Sequence, residues 1–273
     1  MPTPAEKRAR FREMHASGCF VIPNPWDVGS ARMLQGLGFA AVASTSSGMA
    51  WSSGRIDNEV PLEDALAHLA MLCGAVDVPL NADFENGYAD APQDVAANVR
   101  RALDAGVAGL SIEDMSQAEG KPLYETALAV ERVAGARAAI DAEGTGAVLV
   151  ARAEGLLVRQ MDLTRTLDRL VAFAEAGADC LYAPGLRGPE DIAAAVKAVA
   201  PLPLNVLMGG PGLTVAQLAD LGVRRISVGG ALARAAWGGF LAAAREIAQD
   251  GSFAAFAQAA TGAELKALLK PEG

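Results

Sequence analysis

The sequence predicts an α/β fold: a single (β/α)8 (TIM) barrel over residues 1–273, with a C-terminal helical extension over 231–273. Three observations carry this. Short runs rich in Val, Ile and Leu alternate eight times with longer Ala-rich, amphipathic runs, with no linker between them. The short runs are almost wholly apolar, as expected of parallel strands covered on both faces. Four helical segments close on a glycine shortly before a strand, in "LQGLGFAAVAST", "ALDAGVAGLSIED", "FAEAGADCLYAP" and "LADLGVRRISVGG". Glycine there can adopt the left-handed helix-ending conformation. A doubly wound open sheet is the alternative, but its first turn, "VIPNPWDVGS", lacks the G-x-G-x-x-G phosphate motif.

The first strand is placed near residues 19–23 and runs into Asn24, Trp26 and Asp27. The second, near 40–45, ends in the "TSSG" stretch Thr45 to Gly48, with Asp57 further along its loop. A helix over 61–75 leads to the third strand, near 79–84, which delivers Asp83 and Glu85. A helix over 93–105 leads to the fourth, 109–113, ending in Glu113 and Asp114. The fifth, 147–152, ends in Arg152 and Glu154. Helices over 163–176 and 189–199 flank the sixth strand, 179–183, which contributes Tyr182. The seventh, 202–208, carries Asn205, and the eighth, 225–229, ends in a "VGG" turn. Beyond it, Trp237, Phe240, Phe253 and Phe256 make the Ala-rich tail unusually apolar for a surface. These C-terminal helices are expected to be exchanged or packed between subunits of a homotetramer.

Composition narrows the function. A net charge of −9 with no Lys/Arg cluster argues against nucleic acid. No apolar run reaches the roughly 18 residues of a membrane span. The stretch "MPTPAEKRARFREM" has no signal-peptide apolar core, so a cytoplasmic location is expected. Three cysteines, an odd number without paired spacing, argue against a disulfide framework, and Cys19 and Cys180 read as core residues.

Barrels of this kind place their chemistry at the C-terminal ends of the strands. Asp57, Asp83, Glu85, Glu113 and Glu154 therefore converge on one mouth. Like charges so crowded require a compensating cation. Oxygen-only donors with room for water suit Mg²⁺, with Mn²⁺ second. The two histidines, His15 and His68, fall in helices away from strand ends, which argues against zinc. Arg152, a cation among these acids, suits a clamp for a carboxylate or an enolate oxygen.

Taken in order, these stretches resemble the isocitrate lyase/phosphoenolpyruvate mutase superfamily over nearly the whole chain. "NPWDVGSARMLQGLGFAAVASTSSGMAW" is similar to the family's opening, where a Ser-Gly-Leu/Gly turn meets the substrate carboxylate. "GRID" stands in place of G-x-P-D, "NADFENGY" is similar to D-x-D-x-G-Y-G, "ARAE" to A-R-T-[ED], and "PLNVL" to P-x-N-x-L. The resemblance implies Trp26, Ser47, Gly48, Met49, Arg152 and Asn205 as substrate-binding residues. It implies Asp83 as the direct Mg²⁺ ligand, with Glu85 and Glu113 acting through water. Arg152, Asp57 and Glu113 would be the catalytic set. The implied reaction is C–C cleavage or decarboxylation of a small 2-oxo acid through an enolate stabilised by the metal and Arg152.

One departure bears on the reaction. Lyases of the family carry K-[KR]-C-G-H after the fourth strand, whereas this chain has the shorter "EDMSQAEGKPLYE", without the proton-transferring Cys. A phosphonate-acting mutase or hydrolase and a non-catalytic 2-oxo-acid binder are the alternatives. A Schiff-base aldolase barrel would need a strand-end lysine, and Lys7, Lys121, Lys197, Lys266 and Lys270 are not at strand ends.

Overall fold

The computed structural model describes residues 1–270, so the last three residues of the expected extension lie outside the described residues. Eight parallel strands form one nearly closed barrel: β1 Phe20–Ile22, β2 Val42–Ala43, β3 Leu80–Asp83, β4 Gly109–Glu113, β5 Val148–Arg152, β6 Cys180–Tyr182, β7 Leu204–Leu207 and β8 Arg225–Ser227. From β2 to β8 each pairs with its sequence neighbour, and β1 pairs with β8. The ring closes between β1 and β2 through the Ala43 N–H donating to the Pro23 carbonyl at 3.0 Å. The fourth strand has the bounds expected of it, and the other seven are shorter than the apolar runs that announced them.

Eleven helices surround the barrel among the described residues: α1 Pro4–Ala16, α2 Val28–Gly36, α3 Ser46–Ser52, α4 Leu62–Ala75, α5 Pro92–Asp104, α6 Thr126–Ala142, α7 Leu163–Glu175, α8 Pro189–Val199, α9 Val215–Asp220, α10 Ala231–Asp250 and α11 Gly262–Leu269. The four signature glycines, Gly38, Gly106, Gly177 and Gly222, all have φ between +86° and +98°, as their helix-ending role requires. Among the described residues no helix is long and apolar enough to cross a membrane.

Strand parity divides the barrel into two cores. Leu80, Ala82, Leu110, Ile112, Leu149, Ala151, Leu181, Leu204, Val206 and Ile226 face outward and join the large cluster under the helices. Ile22, Ala43, Val148, Val150, Cys180 and Tyr182 face inward and form a second cluster around Phe11. The period of two then sets the direction of the residue at each strand's end. Val148 and Val150 point in, so Arg152 does too; Asp83 and Glu113 are inward by the same count.

The N-terminal helix, charged in sequence, plugs the bottom of the barrel. Phe11 is fully buried, and Gly109 makes room for it, since a Cβ there would stand 2.8 Å from the Phe11 ring and 2.7 Å from the Val148 carbonyl. Lys7 is buried and donates to the Cys73 and Val76 carbonyls at the end of α4. Behind Phe11, His15 and the buried Arg225 meet inside the barrel.

The C-terminal segment separates into two parts. Helix α11 folds back on α2 of the same chain, with the Leu268 carbonyl against Gly36. Helix α10 and the 3-10 helix Ala254–Gln258 leave Phe240, Phe253 and Phe256 each more than half exposed.

Candidate active site

Arg152 stands at the centre of the upper mouth. Its guanidinium contacts Glu154, lies 3.2 Å from Glu113 and 3.5 Å from Asp83, and sits 5.2 Å over the ring of Tyr182. Register explains the company: Glu113 pairs with Arg152 across β4 and β5, and Arg152 with Tyr182 across β5 and β6. Burial works against the arginine's charge, but Glu154, Glu113, Tyr182 and Asp83 hold its pKa well above the ordinary value.

Asp83 is held from two sides. Its N–H donates to Ser44 Oγ at 2.8 Å, and its carboxylate accepts the Ser46 N–H at 3.0 Å. Glu85 follows the strand with φ +46°, and Tyr88 donates its hydroxyl to Glu85 Oε1 at 3.1 Å. Burial, then the charge of Asp83, pushes the Glu85 carboxyl up to about 7. Burial and Asp83 likewise raise Asp57. Glu113 and Glu154 are both pushed up by burial even with Arg152 beside them. Of the five carboxylates, Asp83, Glu113 and Glu154 share the one guanidinium.

Two of their oxygens, Asp57 Oδ1 and Glu85 Oε2, are buried without a hydrogen-bond partner. Leaving such atoms unsatisfied costs free energy, and an oxygen-only set with excess negative charge fits a hard, hydrated cation. No group of three or more His, Cys, Asp or Glu side chains stands close enough to hold an ion directly among the described residues.

The substrate-binding candidates divide. Ser47, Gly48 and Met49 lie in the first turns of α3, with Trp26 packed against Gly48. The Gly48 N–H donates to Thr45 Oγ1 at 3.3 Å and the Met49 N–H to the Thr45 carbonyl at 3.0 Å, so both amides cap or build the helix. The Met49 side chain packs with Ala50, Val60 and Ala65. Ser47 keeps its hydroxyl at 3.1 Å from Thr45 Oγ1. Asn205 faces into the barrel, donates to Ser227 Oγ at 2.9 Å, and leaves Oδ1 buried without a partner.

Asp114, also at a strand end, points the other way. It accepts the Glu154 N–H at 2.7 Å and Arg169 Nη1 at 2.6 Å, so this buried pair anchors the loop that carries Glu154. Parity was the signal: Asp114 comes directly after the inward Glu113. Sequence reasoning quoted Tyr88 in "NADFENGY" and Ser46 in "TSSG" but gave neither a role, since the Tyr88 contact to Glu85 and the Ser46 amide contact to Asp83 appear only once loop and helix start are folded. The stretch after β4 is a short hairpin, with Met115 bridging Leu123 and Ser116 N–H donating to the Pro122 carbonyl at 2.9 Å.

The comparisons with known proteins agree with this geometry. A family model for phosphoenolpyruvate phosphomutase matches residues 11–248. A solved structure of a protein of unassigned lyase or mutase activity from Burkholderia cenocepacia J2315 is 46% identical, with a TM-score of 0.93, covering 96% of this chain and 95% of that one. An uncharacterised protein of Mycobacterium tuberculosis is 34% identical over 221 residues, 80% of this chain and 81% of its own. A protein named probable 2-methylisocitrate lyase 2, from Corynebacterium glutamicum, is 28% identical over 260 residues, 91% of this chain and 83% of its own. With an inward arginine ringed by strand-end carboxylates on a (β/α)8 barrel, and a family model spanning most of its length, the chain belongs to the isocitrate lyase/phosphoenolpyruvate mutase superfamily of lyases and mutases.

Proposed function

We propose that the chain is a Mg²⁺-dependent carbon–carbon lyase acting on a small 2-oxo carboxylic acid, by C–C cleavage or decarboxylation. The observation that carries this is Arg152, turned into the mouth between Asp83, Glu113 and Glu154, beside two buried carboxylate oxygens with no partner. Asp83 would hold the cation directly, and Glu85 and Glu113 through water; Mn²⁺ fits the same donors. Bound there, the cation supplies Lewis-acid polarisation of the substrate's oxygens. Arg152 donates to the oxygen on which negative charge develops as the bond at C3 breaks, and its fixed position means little reorganisation is needed. Trp26 and the Ser47–Gly48 turn border the carboxylate end, Asn205 supplies a free amide oxygen from below, and Asp57 closes the rim.

The test compares pyruvate with lactate by calorimetry. A 2-oxo acid has adjacent carboxylate and keto oxygens, whereas the hydroxy acid loses one good donor. Loss of a charge-assisted contact costs ~1.5–3 kcal/mol, so pyruvate should bind at least ~10-fold more tightly with Mg²⁺. EDTA should remove the preference. Equal affinities, or indifference to EDTA, would refute the reading. A turnover panel of 2-oxo acids then identifies the substrate.

The match to the phosphomutase model favours a second reading, action on a phosphonate. Turnover of phosphonopyruvate without turnover of oxaloacetate would select it. For the assembly, we propose a homotetramer in the cytoplasm in which the exposed Phe240, Phe253 and Phe256 face a neighbouring subunit. Light scattering giving the 28.0 kDa mass of one chain at micromolar concentration would exclude it.

A further inference from the structure

Beside the mouth lies a cleft of about 520 Å³, between the loop that follows α3 and the hairpin after β4. Its wall includes Asn58, Glu59, Glu85, Tyr88, Asp90 and Gln117. Glu85 belongs both to this wall and to the carboxylate ring, so the cleft adjoins the proposed site. Glu85 is only 3% exposed, and its Oε2 has no partner in the protein. The wall is also held in an uncommon conformation. Of the four non-glycine residues with positive φ among the described residues, Asn58, Glu85 and Tyr88 all line it. Such conformations persist only where the surroundings enforce them, and they cluster at functional sites.

The charge of the wall is one-sided. Glu59, Glu85 and Asp90 line the cleft, and no lysine or arginine does. The nearby cation Arg132 is turned away. It is buried, donates to the carbonyls of Asn86, Ala89 and Asp90, and stacks at 4.0 Å over the Tyr124 ring. Arg55 is engaged by Asp64 at 2.6 Å. Neutral hydrogen-bonding groups, the Asn58 and Gln117 amides and the Tyr88 hydroxyl, complete the lining.

We propose that this cleft receives the part of the substrate beyond its 2-oxo acid head and selects an uncharged or cationic group there over a second carboxylate. The inference rests on the 2-oxo acid reading of the mouth and adds the class of the substrate's far end. A carboxylate brought against Glu59 and Asp90 would meet like charges with no lysine or arginine in the lining to compensate them, a penalty of the kind that discriminates between partners.

Three probes test it by calorimetry on the full chain with Mg²⁺: pyruvate, 2-oxoglutarate and the 5-methyl ester of 2-oxoglutarate. Pyruvate carries the head alone, and the other two differ only in the charge at the far end. The ester should bind about tenfold more tightly than 2-oxoglutarate, the effect of roughly one like-charge contact at a protein surface. Glu59→Gln keeps an acceptor for the Ile56 N–H that Glu59 now receives at 3.0 Å. It should narrow the ratio about threefold, and Glu59→Gln with Asp90→Asn should narrow it further. If pyruvate binds but 2-oxoglutarate binds as tightly as the ester, the selectivity is overturned while the head reading stands. A ratio unchanged in the double variant also overturns it. If none of the three binds, the head reading falls and the inference with it.

Discussion

Replacing His15 should change how the fold responds to acid. The ring is buried at the bottom of the barrel, edge-on to Phe11 at 4.6 Å and to Phe20 at 5.1 Å. Its Nδ1 lies 2.7 Å from the Phe11 carbonyl, which can only accept, so Nδ1 carries the hydrogen. Nε2 is then a lone pair facing Arg225 Nη1 at 3.4 Å. Burial and the Arg225 charge hold His15 down to about 3 from an ordinary 6.5. The folded pKa lies below the unfolded one, so between pH 6.5 and 3 the unfolded chain binds a proton that the folded chain refuses. Its stabilisation is complete above pH 6.5 and falls as the pH drops through that window. At about 1.4 kcal/mol per pH unit, the loss is about 2 kcal/mol by pH 5. Glu85 and Asp57, with raised pKa values, shift stability in the opposite sense on acidification, so the wild-type curve alone is ambiguous. The difference between wild type and His15→Phe removes them. Urea unfolding at pH 7.5 and pH 5 should show the wild-type advantage over His15→Phe shrinking by about 2 kcal/mol. Parallel pH dependences would refute the account of a neutral histidine held against a guanidinium.

Arg169→Met leaves Asp114 buried without its 2.6 Å partner and should cost about 3–5 kcal/mol in denaturant unfolding; a cost below about 1 kcal/mol would show the pair is dispensable. Gly109→Ala drives a methyl into the Val148 carbonyl and the Phe11 ring, and should lose about 1–3 kcal/mol, read as a lower thermal midpoint. Asp83→Ala should abolish Mg²⁺-dependent turnover with the circular dichroism of the fold retained, and undiminished metal dependence would remove Asp83 from the site. It also frees the Ser46 N–H that Asp83 now accepts at 3.0 Å, which a small change in midpoint should register.

The sequence by itself determined the class and number of elements. Eight apolar runs became eight parallel strands, and the glycines before them took the left-handed conformation, because parallel pairing and helix termination depend on local pattern. It also placed Asp83, Glu113 and Arg152 at strand ends, where the period of two turns all three inward. Only the tertiary structure decided the rest. The charged N-terminal stretch became the barrel plug, since the fit of Phe11 over Gly109 joins residues 98 positions apart in the chain (109 − 11) and leaves no periodic trace. Of two adjacent acids, Glu113 joined Arg152 and Asp114 joined Arg169, a division set by which side of the sheet each faces. The acidic cleft was equally hidden: Glu59, the pair Glu85 and Asp90, and Gln117 come from three loops, and their shared wall exists only once the barrel has brought those loops together.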